Sequence, residues 1–221
     1  MSPRSARAWH LLTALVAGFA VILQLVLVWE GHAVLDETDP PGLVTRVIRF
    51  ASYLTIWSNV LVFATAALLA ANPARDGAAW RALRLNAVVI CFGGGVVHFF
   101  FLRPLLDLDG GDLLADKLLH VVVPLLAVVG WVAFGPRGQA TRAELLPFLV
   151  LPVVWLVYTL VRGEFVDWYP YPFIDVDELG YAVVAANCVG VAAVMFGLAL
   201  AAVWVDGRLA RSQPAETSVG A

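Results

Sequence analysis

Six stretches of this chain are apolar for long enough to cross a lipid bilayer, and that restricts the fold more than any other feature. A spanning helix needs about 20 predominantly apolar residues. The runs fall at about 9–29, 44–71, 80–102, 113–134, 145–161 and 179–205. Composition agrees, with 61% hydrophobic and only 14% charged residues, far from the balance of a soluble domain. The expectation is an all-α polytopic membrane protein. It has one domain, residues 1–205, built as a bundle of six transmembrane helices with a polar layer in the outer leaflet, and a cytoplasmic tail, 206–221.

Short polar links with strong breakers separate the runs. Pro40-Pro41-Gly42 precedes the second helix and Asn72-Pro73 ends it. The first run follows Arg4 and Arg7, as a signal peptide would, but it exceeds the ~7–15 residues of a signal core and reads as a retained helix. Pro147 and Pro152 predict a bend in the fifth span. Cys91 and Cys188 both lie inside apolar runs and read as small core residues, not as a disulfide. No cysteine–histidine cluster of metal-site spacing is present, and the expectation is no metal and no cofactor.

Basic residues set the orientation. With the N-terminus inside, the cytoplasmic segments hold Arg4, Arg7, Arg75, Arg81, Arg84, Arg137, Arg142, Arg208 and Arg211, nine of the fourteen Lys and Arg residues. That excess places both termini in the cytoplasm. A net charge of −3 excludes nothing by itself, but no basic patch suggests nucleic acid as a partner. The bilayer is the expected environment, and the sequence gives no oligomeric state.

Polar residues inside the spans then stand out. Ser52, Thr55 and Asn59 recur at helical spacing on one face of the second span. His98 is in the third span, His120 in the fourth, Gln24 in the first and Asn187 in the sixth. Thr55, His98 and His120 each lie three to six residues from a rim cation (Arg49, Arg103, Lys117), roughly 5–9 Å at helical rise. Gln24 is level with them, and Asn59 and Asn187 are somewhat deeper. A shared layer on four helices suggests a cavity. The plainer alternative is packing glue, with Thr55 bonding its own preceding carbonyl. His10, His32 and Asn86 read as edge residues without a role. Pro124 cannot bond the His120 carbonyl, so a kink with one free carbonyl is expected there. Gly93-Gly94-Gly95 either admits a close helix or leaves space beside His98.

The link 163–178 interleaves Trp168, Tyr169, Tyr171 and Phe173 with Pro170 and Pro172. It reads either as an interfacial aromatic belt or as a stiff cap over the polar layer.

Tyr53-Leu-Thr-Ile-Trp-Ser-Asn59, His120-Val-Val-Val-Pro-Leu-Leu126 and Trp168-Tyr-Pro-Tyr-Pro-Phe173 resemble the androgen-induced family of six-span membrane proteins, which includes the androgen-dependent regulator of tissue factor pathway inhibitor. The last patch is most similar to the bacterial branch. The resemblance implies six spans in a bacterial cytoplasmic membrane. The animal members are threonine hydrolases of fatty acid esters of hydroxy fatty acids, and Thr55 and His120 occupy the matching positions. It thus implies an intramembrane ester hydrolase with a lipid-like small-molecule ester as substrate.

The polar layer offers what that chemistry needs. A hydroxyl becomes a nucleophile when a neighbouring histidine takes its proton. Asn59 or Asn187 supplies a candidate oxyanion donor. His98, Ser52, Trp168 and Tyr169 are candidates to line the substrate site, and Arg49 and Arg103 to hold a lipid carboxylate. No carboxylate to orient His120 is visible inside the helices; Asp116, one turn earlier at the edge, could reach it but is not the expected partner. Two alternatives belong to other classes. One is a b-type haem electron-transfer protein with His98 and His120 as axial ligands. The other is a transporter or structural protein whose polar layer only binds helices together.

Overall fold

A computed structural model describes residues 2–32 and 41–212. Among them there are no strands, and six helices are long and apolar enough to span a membrane. The chain is therefore an all-α membrane protein built on six spans. Helices are α1 (Pro3–Glu30), α2 (Leu43–Ser52), α3 (Leu54–Ala71), α4 (Ala78–Val97), α5 (Gly110–Lys117), α6 (Val123–Phe134), α7 (Leu145–Val166) and α8 (Val176–Arg211). π-helical turns extend α4 through His98–Leu102 and join α5 to α6 through Leu118–Val122.

α1 lies along α3, and α4 sits at the centre against α3, α6, α7 and α8. Small residues let α1 approach closely: Ala14, Ala17 and Ala20 are buried. The periphery carries the lipid-facing apolar side chains, among them Leu15, Ile22, Val189 and Trp204.

The expected second span is two helices. At Tyr53 the backbone is extended (φ −74°, ψ 128°), so α2 ends at Ser52 and α3 begins at Leu54. A break at membrane depth exposes backbone groups that must find partners inside the protein. They do. The indole of Trp57 donates to the Ala51 carbonyl at 2.7 Å, and that of Trp155 to the Ser52 carbonyl at 2.9 Å. The Thr55 N–H donates to the Tyr171 hydroxyl at 3.3 Å. Ser52 and Thr55 thus belong to different helices, which corrects the single polar face read from their spacing.

Other boundaries shift as well. α7 runs unbroken to Val166 with Pro152 inside it, so the expected bend is not a break. α8 has a kink at Gly180 (φ 73°) and continues to Arg211, past the expected end at 205. The rest of the expected tail, 213–221, and most of the first link, 33–40, lie outside the described residues.

The two ends of the bundle differ. At one end Arg84 is buried and donates to the carbonyls of Gly135 (2.6 Å) and Pro136 (2.8 Å), while Asp206 accepts from the Ala140 N–H at 2.8 Å. The Trp9 indole reaches the Leu126 carbonyl near the same end. Asn86, expected at an interface, is fully buried there and donates to the Ala82 carbonyl. The other end holds the His32–Asp112 pair (2.6 Å) and the aromatic link.

Candidate active site

Thr55 is the second residue of α3, held beside the break in the helix. Its Oγ1 lies 3.3 Å from His120 Nε2. His120 stands in the π-helical turn before Pro124. Its Nδ1 is 3.1 Å from Asp116 Oδ1 and 3.1 Å from the Asp116 carbonyl. Both neighbours of Nδ1 are acceptors, so that nitrogen carries the proton, and Nε2 is left to accept from the Thr55 hydroxyl. Thr55, His120 and Asp116 stand in one line, with the Asp116 backbone carbonyl accepting from His120 Nδ1 and the Asp116 carboxylate beside the same nitrogen. Asp116, read from the sequence as an edge residue one turn from His120, is buried with its carboxylate against that ring. The signal was the i,i+4 spacing, which puts both side chains on one face.

His98 adds a second imidazole. Its ring stacks on that of His120 with centroids 3.6 Å apart and planes within 6°. Its Nε2 lies 2.8 Å from the same Asp116 Oδ1. Arg103 Nε is 3.8 Å from Oδ2, so two imidazoles and a guanidinium lie around the carboxylate. In this stack the rings are in face-to-face contact, with no space between them for a macrocycle. His98, Asp116 and His120 also offer three ligand atoms within 4.8 Å of one another. An ion about 2.0–2.1 Å from both ring nitrogens would lie between two parallel rings, far out of the plane of each lone pair.

The polar layer opens on a cavity of about 670 Å3, counting its mouth, whose walls include Gln24, Thr55, His98, Asp116, His120 and Tyr171. A second cavity of about 480 Å3 meets it at Thr55, His98 and Tyr171 and runs between apolar walls that include Ile90, Gly94, Trp155 and Met195. Gly94 has open space beside it, whereas a Cβ on Gly95 would lie 2.4 Å from the His120 carbonyl. The glycine run therefore does both things expected of it. One member admits the His120 carbonyl, and another borders the cavity.

Several candidates lie elsewhere. Asn59 spends its amide donors on the carbonyls of Thr55 (2.8 Å) and Leu119 (3.3 Å). Asn187 donates to the Phe173 carbonyl at 2.8 Å and anchors the link. Neither amide lines the two cavities. Ser52 donates to the Ile48 carbonyl at 2.8 Å, and Tyr158 Oη lies 3.1 Å from its hydroxyl. Arg49 stacks on the Trp168 ring at 4.8 Å, with Arg162 on it at 5.3 Å. Tyr169 packs into the notch left by Gly163. These side chains support the link. The member that reaches Thr55 is Tyr171, with its hydroxyl 3.4 Å from Thr55 Oγ1. Sequence reasoning missed it because four aromatics in one link look alike until packing selects one.

No family model, curated protein or solved structure matches the chain.

Proposed function

We propose that the chain is an intramembrane threonine hydrolase of lipid-like esters, such as fatty acid esters of hydroxy fatty acids. Its setting is a bacterial cytoplasmic membrane, with both termini in the cytoplasm and the substrate entering from the outer leaflet. The observation that carries this is the directed line from Thr55 through His120 to Asp116, opening where the two cavities meet.

Each residue has a defined task. His120 Nε2 takes the Thr55 proton as Oγ attacks the ester carbonyl, and the carbonyl π electrons move to its oxygen. Collapse of that adduct expels the alkoxide, which receives the proton from His120 and leaves as the alcohol. Water then attacks the acyl-threonine with His120 again as base, releasing the carboxylic acid and restoring the Thr55 hydroxyl. Asp116 holds the imidazole in the required tautomer and steadies the imidazolium. Two cavities meeting at the nucleophile suit an ester with a chain on either side of the scissile bond.

The test is covalent labelling with a fluorophosphonate and turnover of p-nitrophenyl octanoate by the full chain in nanodiscs. Label on Thr55, and loss of label and turnover in Thr55→Ala, are expected. Thr55→Ser should keep part of the activity. Full esterase activity in Thr55→Ala would overturn the proposal.

A further inference from the structure

We infer that Tyr171 is the oxyanion-binding group of the site, its phenol O–H holding the negative charge that develops on the ester carbonyl oxygen. The inference rests on the threonine-hydrolase proposal above and names the donor that the reaction requires.

The phenol is placed from outside the bundle but fixed inside it. Tyr171 is 8% exposed, and its ring stacks on Phe173 (5.3 Å, 3°) and abuts Trp155 (5.8 Å) and Tyr53 (5.6 Å). Four rings thus aim one hydroxyl at Thr55. The phenol lies at the junction of the two cavities, where a scissile carbonyl bound across them would sit.

The order of protons decides what the hydroxyl can do. The Thr55 N–H can only donate, and it donates to Tyr171 Oη at 3.3 Å. The Thr55 O–H is directed to His120 Nε2. The phenol proton is therefore the one left to point towards Thr55 Oγ1, 3.4 Å away, and into the cavity. A donor in reach of the attacking oxygen is also in reach of the carbonyl oxygen that becomes its geminal neighbour in the adduct.

Two features make this phenol a good donor. Accepting the Thr55 N–H at its oxygen polarises its own O–H, and that N–H lies in the first turn of α3, where the helix dipole favours negative charge. Burial raises the phenol above its ordinary pKa, so near neutral pH it keeps its proton and donates. Both amide donors of Asn59 are taken by backbone carbonyls, and Asn187 lines neither cavity. His120 is occupied with the transferred proton. Tyr171 is the other side-chain donor placed against Thr55 Oγ1.

The experiment uses the full chain in nanodiscs with p-nitrophenyl octanoate. Tyr171→Phe keeps the ring and its stacking, and should lower kcat by about 10²–10³-fold, the usual loss of one oxyanion donor, with KM nearly unchanged. Site-specific replacement of Tyr171 by fluorotyrosines keeps the shape and lowers the phenol pKa. The alkaline limb of kcat should then move to lower pH in the order of phenol acidity. His98, His120, Asp112 and Asp116 share the cavity and are the same in every member of that series, so the shift isolates the phenol. A kcat for Tyr171→Phe within about threefold of wild type overturns the assignment, and so does an alkaline limb indifferent to fluorination. If Tyr171→Phe does not fold, the fluorotyrosine series decides. Absence of label on Thr55 in the wild-type chain overturns the hydrolase proposal itself. Label on Thr55 with full turnover in Tyr171→Phe overturns only the role of Tyr171.

Discussion

Asp116 shows what a single carboxylate does when it is enclosed with two imidazoles. One of its oxygens serves both His98 and His120. Asp116→Asn keeps the size and the backbone carbonyl that accepts from His120 Nδ1, but removes the negative charge that steadies the imidazolium. A loss in kcat is expected, bounded by the roughly 10⁴-fold of the same change in the serine triad, with KM and melting temperature little altered. Steady-state kinetics and a thermal melt check this, and wild-type kcat in the variant would remove Asp116 from the line. Because the stacked rings do not converge on an ion, turnover should also survive prolonged treatment with a chelator. Measured turnover before and after 1,10-phenanthroline is the check. Thr55 and His120 were legible in the sequence as polar residues at a shared depth. Asp116 was harder to read because a carboxylate at a helix end ordinarily turns to water. Its burial depends on His98 and Arg103 arriving from α4 and its extension.

At the scale of elements, the irregular turns matter more than the regular helix. The lengths of the apolar runs revealed the spans. The break at Tyr53 left no trace, because neither proline nor glycine stands there. It exists because Trp57, Trp155 and Tyr171 satisfy the freed backbone groups, and two of those three come from distant segments. Pro124 announced an irregularity at the His120 carbonyl, though not the π-helical turn that carries it. That carbonyl gives a sharp contrast between adjacent glycines. Gly95→Ala would drive a Cβ into the backbone of His120 at 2.4 Å, whereas Gly94→Ala meets nothing within 4 Å. The first should cost about 1–3 kcal/mol through forced separation of α4 from the turn and should disturb His120. The second should stabilise α4 by roughly 0.5–1 kcal/mol, the helical preference of alanine over glycine. Thermal melts of the two variants in one detergent test this, and equal shifts would mean that the close approach at Gly95 is not as described. Arg84 gives a third expectation. Arg84→Met leaves the buried carbonyls of Gly135 and Pro136 without their donors, at about 1–3 kcal/mol each. The melting temperature should fall, while kcat per folded molecule stays unchanged because the site is at the other end.

The whole molecule has two polar ends, and function depends on which one faces out. The starts of α1 and α4, the end of α8 and the segment 135–141 gather at one end, tied by Arg84 and Asp206. The His32–Asp112 pair, Arg103 and the aromatic link gather at the other. The first end carries nine of the fourteen basic residues, from Arg4 to Arg211, and the site end carries Arg46, Arg49, Arg103, Lys117 and Arg162. Loops rich in Lys and Arg stay in the cytoplasm during insertion. The expected topology therefore keeps both termini inside and turns the cavity mouth towards the outer leaflet, so lipid-like esters would reach Thr55 without crossing the bilayer. Single cysteines at Ser2 and Asp109, in a chain with Cys91 and Cys188 replaced, test it. Both positions are exposed, and the Asp109 side chain makes no capping bond to α5, so its replacement should leave the fold alone. An impermeant maleimide added to intact cells should label Asp109→Cys, and should label Ser2→Cys only after the membrane is opened. Labelling of Ser2→Cys alone in intact cells would invert the protein. The cavity would then open to the inner leaflet, and substrate entry would have to be sought among lipids of the cytoplasmic face.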